Sequence, residues 1–242
     1  MIRVFPDAES LSSAAADLFV QRAAESIEEL GRFAVALSGG KTPRRAYEIL
    51  ASDPLKDEVD WPRVHFFFGD DRYVPTSDEL SNERMARQAL LDHVPVVKEH
   101  IHGIYRPDGP ESSAKAYESL LRAFFADGAP QFDLAYSGLG PDGHTASLFG
   151  DPAPYLADPR WVIPTKAPVG APDRVSLNVA LLAGAQTLAF LVDGAEKAEA
   201  LRYALTPTDH PASAAQVVAA RAINPVWYVD AQAAALLPPG TA

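Results

Sequence analysis

The chain contains no cysteine. Disulfide scaffolds, thiolate zinc sites, redox dithiols and cysteine nucleophiles are therefore excluded. It is also short of positive charge: 21 Lys and Arg stand against 32 Asp and Glu, a formal net charge of −11. That balance argues against nucleic acid or an anionic membrane surface as the main partner. An anionic small molecule stays compatible, because a few local cations overrule the global field. Long apolar runs are missing too. The most apolar stretch, Val179 to Val192, is broken by Gly184, Gln186 and Thr187, and falls short of the roughly 20 residues a membrane span needs. The N-terminus reaches Asp7 before any run that could serve as a signal core. The expected compartment is the cytoplasm. A G-x-S-x-G elbow is absent, which disfavours a serine hydrolase of the α/β-hydrolase kind.

What is present is an ordinary globular mix, 48% hydrophobic and 22% charged over 242 residues. No repeat, low-complexity block or long polar linker divides it. Short apolar runs alternate with helical spacing. Strands are expected at Arg3–Phe5, Phe33–Leu37, Val64–Phe68, Phe132–Leu139, Thr187–Val192 and Val226–Val229. Helices are expected over Asp7–Leu30 (stopped by Gly31), Arg44–Ala51, Glu79–Leu91 (capped by Ser81 or Asn82), Tyr117–Ala126 and Ala195–Leu205. A helical turn is expected from Thr145 to Phe149, and a short Ala-rich helix after the last strand. The Pro-rich stretch from Asp151 to Pro172 reads as a lid or crossing loop, and the tail from Pro238 should fray. Strands alternating with helices predict an α/β layered fold with a mostly parallel sheet. Ligands then bind at the carboxyl ends of strands, where strand order reverses.

Four strand ends qualify. Ser38-Gly39-Gly40-Lys41-Thr42-Pro43 joins a strand to a helix. Its glycines allow close backbone approach, Thr42 can cap the helix, and the free N–H groups suit an anion. A plain Gly-Gly turn is the alternative. A Walker A loop is excluded, because the first glycine of that motif would fall on Val35. Gly69-Asp70-Asp71-Arg72 sets two carboxylates beside a guanidinium, for polar recognition, acid–base work or only a solvated turn. Gly138-Leu139-Gly140-Pro141-Asp142-Gly143 matches the dinucleotide pattern G-x-G-x-x-G. Pro141 distorts that turn, Asp142 would oppose pyrophosphate, and the acidic residue needed downstream is missing. The better reading is a loop presenting His144 at a helix N-terminus, neutral and able to accept a proton, or else merely capping that helix. Lys197, in the first turn of a helix, either faces an anion or is an ordinary surface lysine; Arg174 is equally ambiguous. His100 and His102 share a spacing that metal sites use, but no Cys or acidic cluster supports them. No metal is expected. His65, His93 and His210 read as structural or exposed.

Taken together, these segments resemble the 6-phosphogluconolactonase family. The resemblance rests on Leu37–Pro43, on Gly69–Pro75 with Ser81-Asn82 and Met85-Ala86-Arg87, and above all on Gly138–Phe149. Arg174, Gly194–Ala198 and Trp227–Asp230 extend it, so it runs from the first strand to about Ala235. It implies one Rossmann-like domain over 1–242, related to glucosamine-6-phosphate deaminase. It implies hydrolysis of 6-phospho-D-glucono-1,5-lactone, the second step of the oxidative pentose phosphate pathway, without metal or organic cofactor. A monomer is expected. Two departures stand out: Asp71, where the family is expected to carry Glu, and Gly150, where it usually carries Pro.

On that reading His144 draws a proton from water, and Asp142 or a backbone carbonyl orients its ring. Arg72 and backbone N–H groups face the oxyanion. The 6-phosphate lies on Ser38, Gly39, Gly40, Lys41 and Thr42 with Arg174 and Lys197, and Asp70 contacts substrate. The nearest rival is a sugar-phosphate isomerase of the deaminase type. Its corresponding segment carries Glu five residues after the His, where this chain has Phe149, which cannot relay a proton. A non-catalytic sugar-phosphate sensor would need a DNA-binding domain, for which no basic recognition helix is present.

Overall fold

Phe33–Leu37 and Leu188–Val192 are buried at every residue. Apolar runs without polar alternation behave this way when both faces of a parallel sheet are covered. In the computed structural model, which describes residues 1–126, 130–206, 212–238 and 240, the chain forms nine strands and eight α-helices. The strands are β1 (Ile2–Phe5), β2 (Phe33–Leu37), β3 (Val64–Phe68), β4 (Asp70–Arg72), β5 (Leu134–Ser137), β6 (Val162–Thr165), β7 (Arg174–Leu177), β8 (Leu188–Val192) and β9 (Pro225–Asp230). The helices are α1 (Ala8–Leu30), α2 (Lys41–Leu50), α3 (Asn82–Ala86), α4 (Pro110–Phe124), α5 (Ala153–Ala157), α6 (Val179–Ala183), α7 (Ala198–Leu205) and α8 (Ala214–Arg221).

Six strands form a sheet in the order β1-β9-β8-β5-β2-β3, every neighbouring pair parallel. This is the expected α/β architecture. From β2 the chain steps outward to β3, then returns to β5 on the other side of β2. The strand order therefore reverses at β2 and β5, and their carboxyl ends open a crevice between them. Helix α1 begins where the Asp7 carboxylate accepts the Ser10 N–H at 2.8 Å. It ends at Gly31, whose φ of 75° closes the last turn onto the Ile27 carbonyl. Among the described residues, no helix is long and apolar enough to cross a membrane.

The second sheet was not expected. β4, β7 and β6 pair antiparallel in that order. Each is only three or four residues long, and Pro164 and Arg174 mask the strand pattern. The Pro-rich stretch is accordingly not a bare loop: it contains α5 and β6. Helix α8 was also unanticipated. The helix expected over Glu79–Leu91 is shorter at its start. It begins at Asn82, capped by Ser81, and becomes a π-turn over Arg87–Leu91. His210 and most of the tail beyond Pro238 lie outside the described residues.

The histidines of β3 and the following connection meet away from the crevice. The His65 and His100 rings stack with centroids 3.7 Å apart, and His65 Nδ1 lies 3.4 Å from His102 Nε2. Among the described residues no group of three or more His, Asp or Glu is arranged to hold a metal ion. Burial, and then the neighbouring histidines, push His65 and His102 down to about 4. Both rings are neutral in the folded state near pH 6, whereas the unfolded chain binds protons there. Stability is therefore complete above about pH 6.5 and falls as pH drops toward 4. A series of Tm values across that window should slope less steeply for His65→Gln than for the unsubstituted chain. Parallel curves would show that the stack does not contribute.

Candidate active site

The loop after β2 is fixed from both ends. The Ser38 N–H donates to the Tyr47 hydroxyl at 3.0 Å, and that hydroxyl donates back to the Ser38 carbonyl at 3.0 Å. Tyr47 is fully buried on α2, so the turn is pinned to its own helix. Gly40 precedes α2 with φ 108°, a conformation that suits glycine. No side chain caps α2. Thr42, expected as the cap, sits inside the first turn, and its hydroxyl donates to the Asp193 carboxylate instead. The first N–H groups of α2 are left without a side-chain acceptor, as an anion site requires.

The Asp70-Asp71-Arg72 run becomes β4, and alternation along it divides the labour. The Asp71 carboxylate turns into the fold and accepts from Arg72 N and Asn82 N at 2.7 Å each, and from Glu83 N and the Ser81 hydroxyl at 3.1 Å each. Burial pushes this carboxyl up to about 6 against those hydrogen bonds. The shorter side chain noted in the sequence thus serves α3 rather than the crevice. Asp70 and Arg72 line the crevice; Arg72 Nη1 donates to the Leu80 carbonyl at 2.7 Å.

After β5 the chain makes a tight glycine loop. Gly140 N–H donates to the His144 carbonyl at 2.8 Å, and Gly143 N–H to the Gly140 carbonyl at 3.0 Å. His144 Nδ1 lies 2.5 Å from Asp142 Oδ1, which also accepts the His144 backbone N–H at 3.2 Å. Asp142, rather than a backbone carbonyl, therefore holds the ring. Burial alone would raise the Asp142 carboxyl, but the hydrogen bonds from the His144 ring and backbone outweigh it and lower it. The Asp142 carboxylate accepts a hydrogen bond from Nδ1–H, which leaves Nε2 as the ring nitrogen that faces the crevice as an acceptor. The helix expected behind His144 does not exist: 145–148 is a single turn closed by Leu148 N–H on the Thr145 carbonyl at 3.0 Å. The orientation of His144 is set by a carboxylate and not by a helix end.

A Cβ on Gly140 would lie 2.0 Å from His144 Nδ1 and 2.6 Å from Asp142 Oδ1. Gly140→Ala must therefore push the pair apart. A loss in kcat of at least about tenfold is expected, since misplacement by an ångström can cost about a hundredfold. Steady-state kinetics alongside a thermal melt check this; a folded variant with an unchanged kcat contradicts it.

The fourth strand end supplies Lys197. Gly194 turns with φ 94°, and its N–H donates to the buried Asp230 carboxylate at 3.1 Å. A 3-10 turn, Ala195–Lys197, then brings Lys197 to the crevice ahead of α7. Neither Lys41 nor Lys197 is in an ion pair with another described residue.

The crevice encloses about 490 Å³ and is lined from all four strand ends, with His144, Arg72, Lys41 and Lys197 on its walls. Arg174, expected with the phosphate contacts, is not among the lining residues. It faces Arg72 across the β4–β7 pair and donates to the Pro172 carbonyl at 2.7 Å. Sequence reasoning also missed three polar groups on the wall: Asn82, Asp193 and Glu196. Asn82 donates to the Asp70 carbonyl at 3.0 Å, and its amide fills the space where a Cβ on Gly39 would stand. The Ser-Asn pair was visible in the sequence, as a cap and as part of the family resemblance, but nothing there places Asn82 on the crevice wall.

A Rossmann-like sheet whose switch-point crevice joins an open helix N-terminus to an oriented histidine defines an α/β protein with a site suited to a small anionic ligand. The chain belongs to the glucosamine-6-phosphate isomerase/6-phosphogluconolactonase family, whose model matches residues 6–227. It is 40% identical to a Synechocystis 6-phosphogluconolactonase over 227 residues, 90% of each chain. A solved 6-phosphogluconolactonase from Trypanosoma cruzi superposes with TM-score 0.82 at 29% identity, covering 97% of this chain and 95% of that one. A monomeric glucosamine-6-phosphate deaminase shares the fold, with TM-score 0.80 at 17% identity over 97% of this chain and 99% of its own.

Proposed function

We propose that the chain hydrolyses 6-phospho-D-glucono-1,5-lactone to 6-phospho-D-gluconate, as a cytoplasmic monomer without nucleic-acid or membrane partners. The observation that carries this reading is the Asp142–His144 pair set across one crevice from an uncapped helix N-terminus and two unpaired lysines. A lactone is an activated ester, so one base and one positioned water suffice. His144 Nε2 takes a proton from water as its oxygen attacks the carbonyl carbon. Arg72 and backbone N–H groups receive the oxyanion. On collapse the ring C–O bond breaks, and the imidazolium returns the proton to the departing oxygen. The phosphate rests on Gly39–Thr42, through backbone N–H groups, with Lys41 and Lys197. Thr42 contributes its N–H, because its hydroxyl hydrogen is engaged by Asp193. Arg174, beside Arg72 on the small sheet but off the crevice wall, is left out of the phosphate contacts.

The deaminase-type reading is disfavoured by Phe149, whose ring centroid lies 4.6 Å from that of His144. An aromatic ring occupies the neighbourhood in which that reaction would place a proton-carrying carboxylate. The test is a pH-stat assay with freshly generated 6-phosphogluconolactone, spontaneous hydrolysis subtracted. Acid release well above background is expected; release at the background rate overturns the reading.

A further inference from the structure

Besides placing Arg72 on the crevice wall, the small antiparallel sheet grips one residue of the catalytic loop with all three of its strands. The Ser147 hydroxyl donates to Asp70 Oδ2 on β4 at 2.5 Å. Its carbonyl accepts from the Thr165 hydroxyl on β6 at 2.8 Å. Its N–H donates to the Ser176 hydroxyl on β7 at 3.3 Å. All four residues are at least nine-tenths buried. Every polar group of Ser147 is thus committed, although it touches neither the crevice nor His144. On its N-terminal side, Ala146 is held at φ 47° and lines the crevice. A left-handed alanine is strained by about 1 kcal/mol and persists only where its surroundings over-determine it. Thr145 is tied down separately: its hydroxyl lies 2.6 Å from the Ser137 hydroxyl and donates to the Gly138 carbonyl at 2.8 Å.

We propose that Ser147 is a positioning residue for the lactonase reaction. Held by Asp70, Thr165 and Ser176, it pins the turn after His144 to the small sheet and so fixes the imidazole's placement in the crevice. The proposal rests on His144 being the base. Its mechanical link is backbone: a locked Ser147, a strained Ala146 and an anchored Thr145 leave His144 a single exit direction from the loop. The small sheet then acts as a jig for a side chain carried by the large one.

Three measurements separate the inference from the reading beneath it. Ser147→Ala should lower kcat about tenfold to a hundredfold with KM changed less than about threefold, because the phosphate contacts lie on other strand ends. Thr165→Val, nearly isosteric, removes a second grip and should lower kcat in the same sense even if Ser147→Ala folds poorly. In a His144→Ala background, Ser147→Ala should add no further loss. Loss of equal size in both backgrounds would mean that Ser147 acts through Asp70 or on stability, and would overturn the proposal. Independently of turnover, the His144 imidazole C–H resonance, assigned by its disappearance in His144→Ala, should shift in Ser147→Ala and Thr165→Val. An unmoved resonance in both folded variants refutes the proposal whether or not His144 is the base; full activity of His144→Ala refutes only the base.

Discussion

Replacing His144 by Asn should lower kcat about a hundredfold to ten-thousandfold while KM stays within a few-fold. Asn keeps a hydrogen-bonding group near Asp142 but has no site that takes a proton from water. In the proposed mode the phosphate contacts come from the ends of β2 and β8, and His144 from the end of β5, so binding and proton transfer separate structurally. The residual rate then reflects the oxyanion donors and the positioning of the lactone. Asp142→Asn should act in the same direction, since an amide no longer enforces the Nδ1–H tautomer. Rates are best compared at saturating lactone after subtraction of spontaneous hydrolysis. A His144→Asn protein that retains more than half the original rate is incompatible with the assignment.

Lys197→Ala should lower kcat/KM for 6-phosphogluconolactone about tenfold to a hundredfold, as expected for one charge-assisted contact of about 1.5–3 kcal/mol. The loss should appear mainly in KM, with some in kcat if phosphate binding holds the carbonyl in register. Unphosphorylated gluconolactone should be nearly indifferent to the substitution. Inorganic phosphate should inhibit the unsubstituted enzyme competitively, and the variant less. The comparison is informative because the wall also carries Asp70, Asp193 and Glu196: the cations act against a locally acidic background, and losing one should be felt. Equal losses on both lactones would move Lys197 to the reacting centre. Identical phosphate inhibition would make it a surface lysine.

The strands that carry the site are plain in the sequence because burial on both faces leaves only apolar residues, as in Phe33–Leu37 and Leu188–Val192. Their loops are equally plain, because a turn that must approach a ligand closely uses glycine. The small sheet is not legible. Strands of three or four residues containing Asp, Arg, Ser and Pro show no alternation long enough to detect, and β4 finds its partner about a hundred residues away, as with Asp70 and Ser176. The grips on Ser147 are hidden because they come from three separate short strands, 77, 18 and 29 residues away. Arg174 illustrates the converse: a cation near a family-like motif invites a ligand, and its register opposite Arg72 sets both on one face of the small sheet, yet Arg174 does not itself line the crevice. The environment of His144 was misjudged because Thr145–Phe149 has helical composition, whereas Ala146 is in fact left-handed.

The position of β1 has a consequence for how the molecule is made. Its neighbour in the sheet is β9, with Ile2 opposite Trp227. β1 therefore waits for β9, more than two hundred residues later, before it can pair. Asp230, at the end of β9, is also the carboxylate that holds the Gly194 turn and hence Lys197. The β2 and β5 loops can assemble while synthesis continues, but the lysine arm of the crevice closes only when the C-terminal strand slides between β1 and β8. Such long-range closure slows folding. It also couples the arrival of β9 to the placement of Lys197, so a nascent or truncated protein ending before β9 carries the histidine without the Asp230 contact that holds the Gly194 turn.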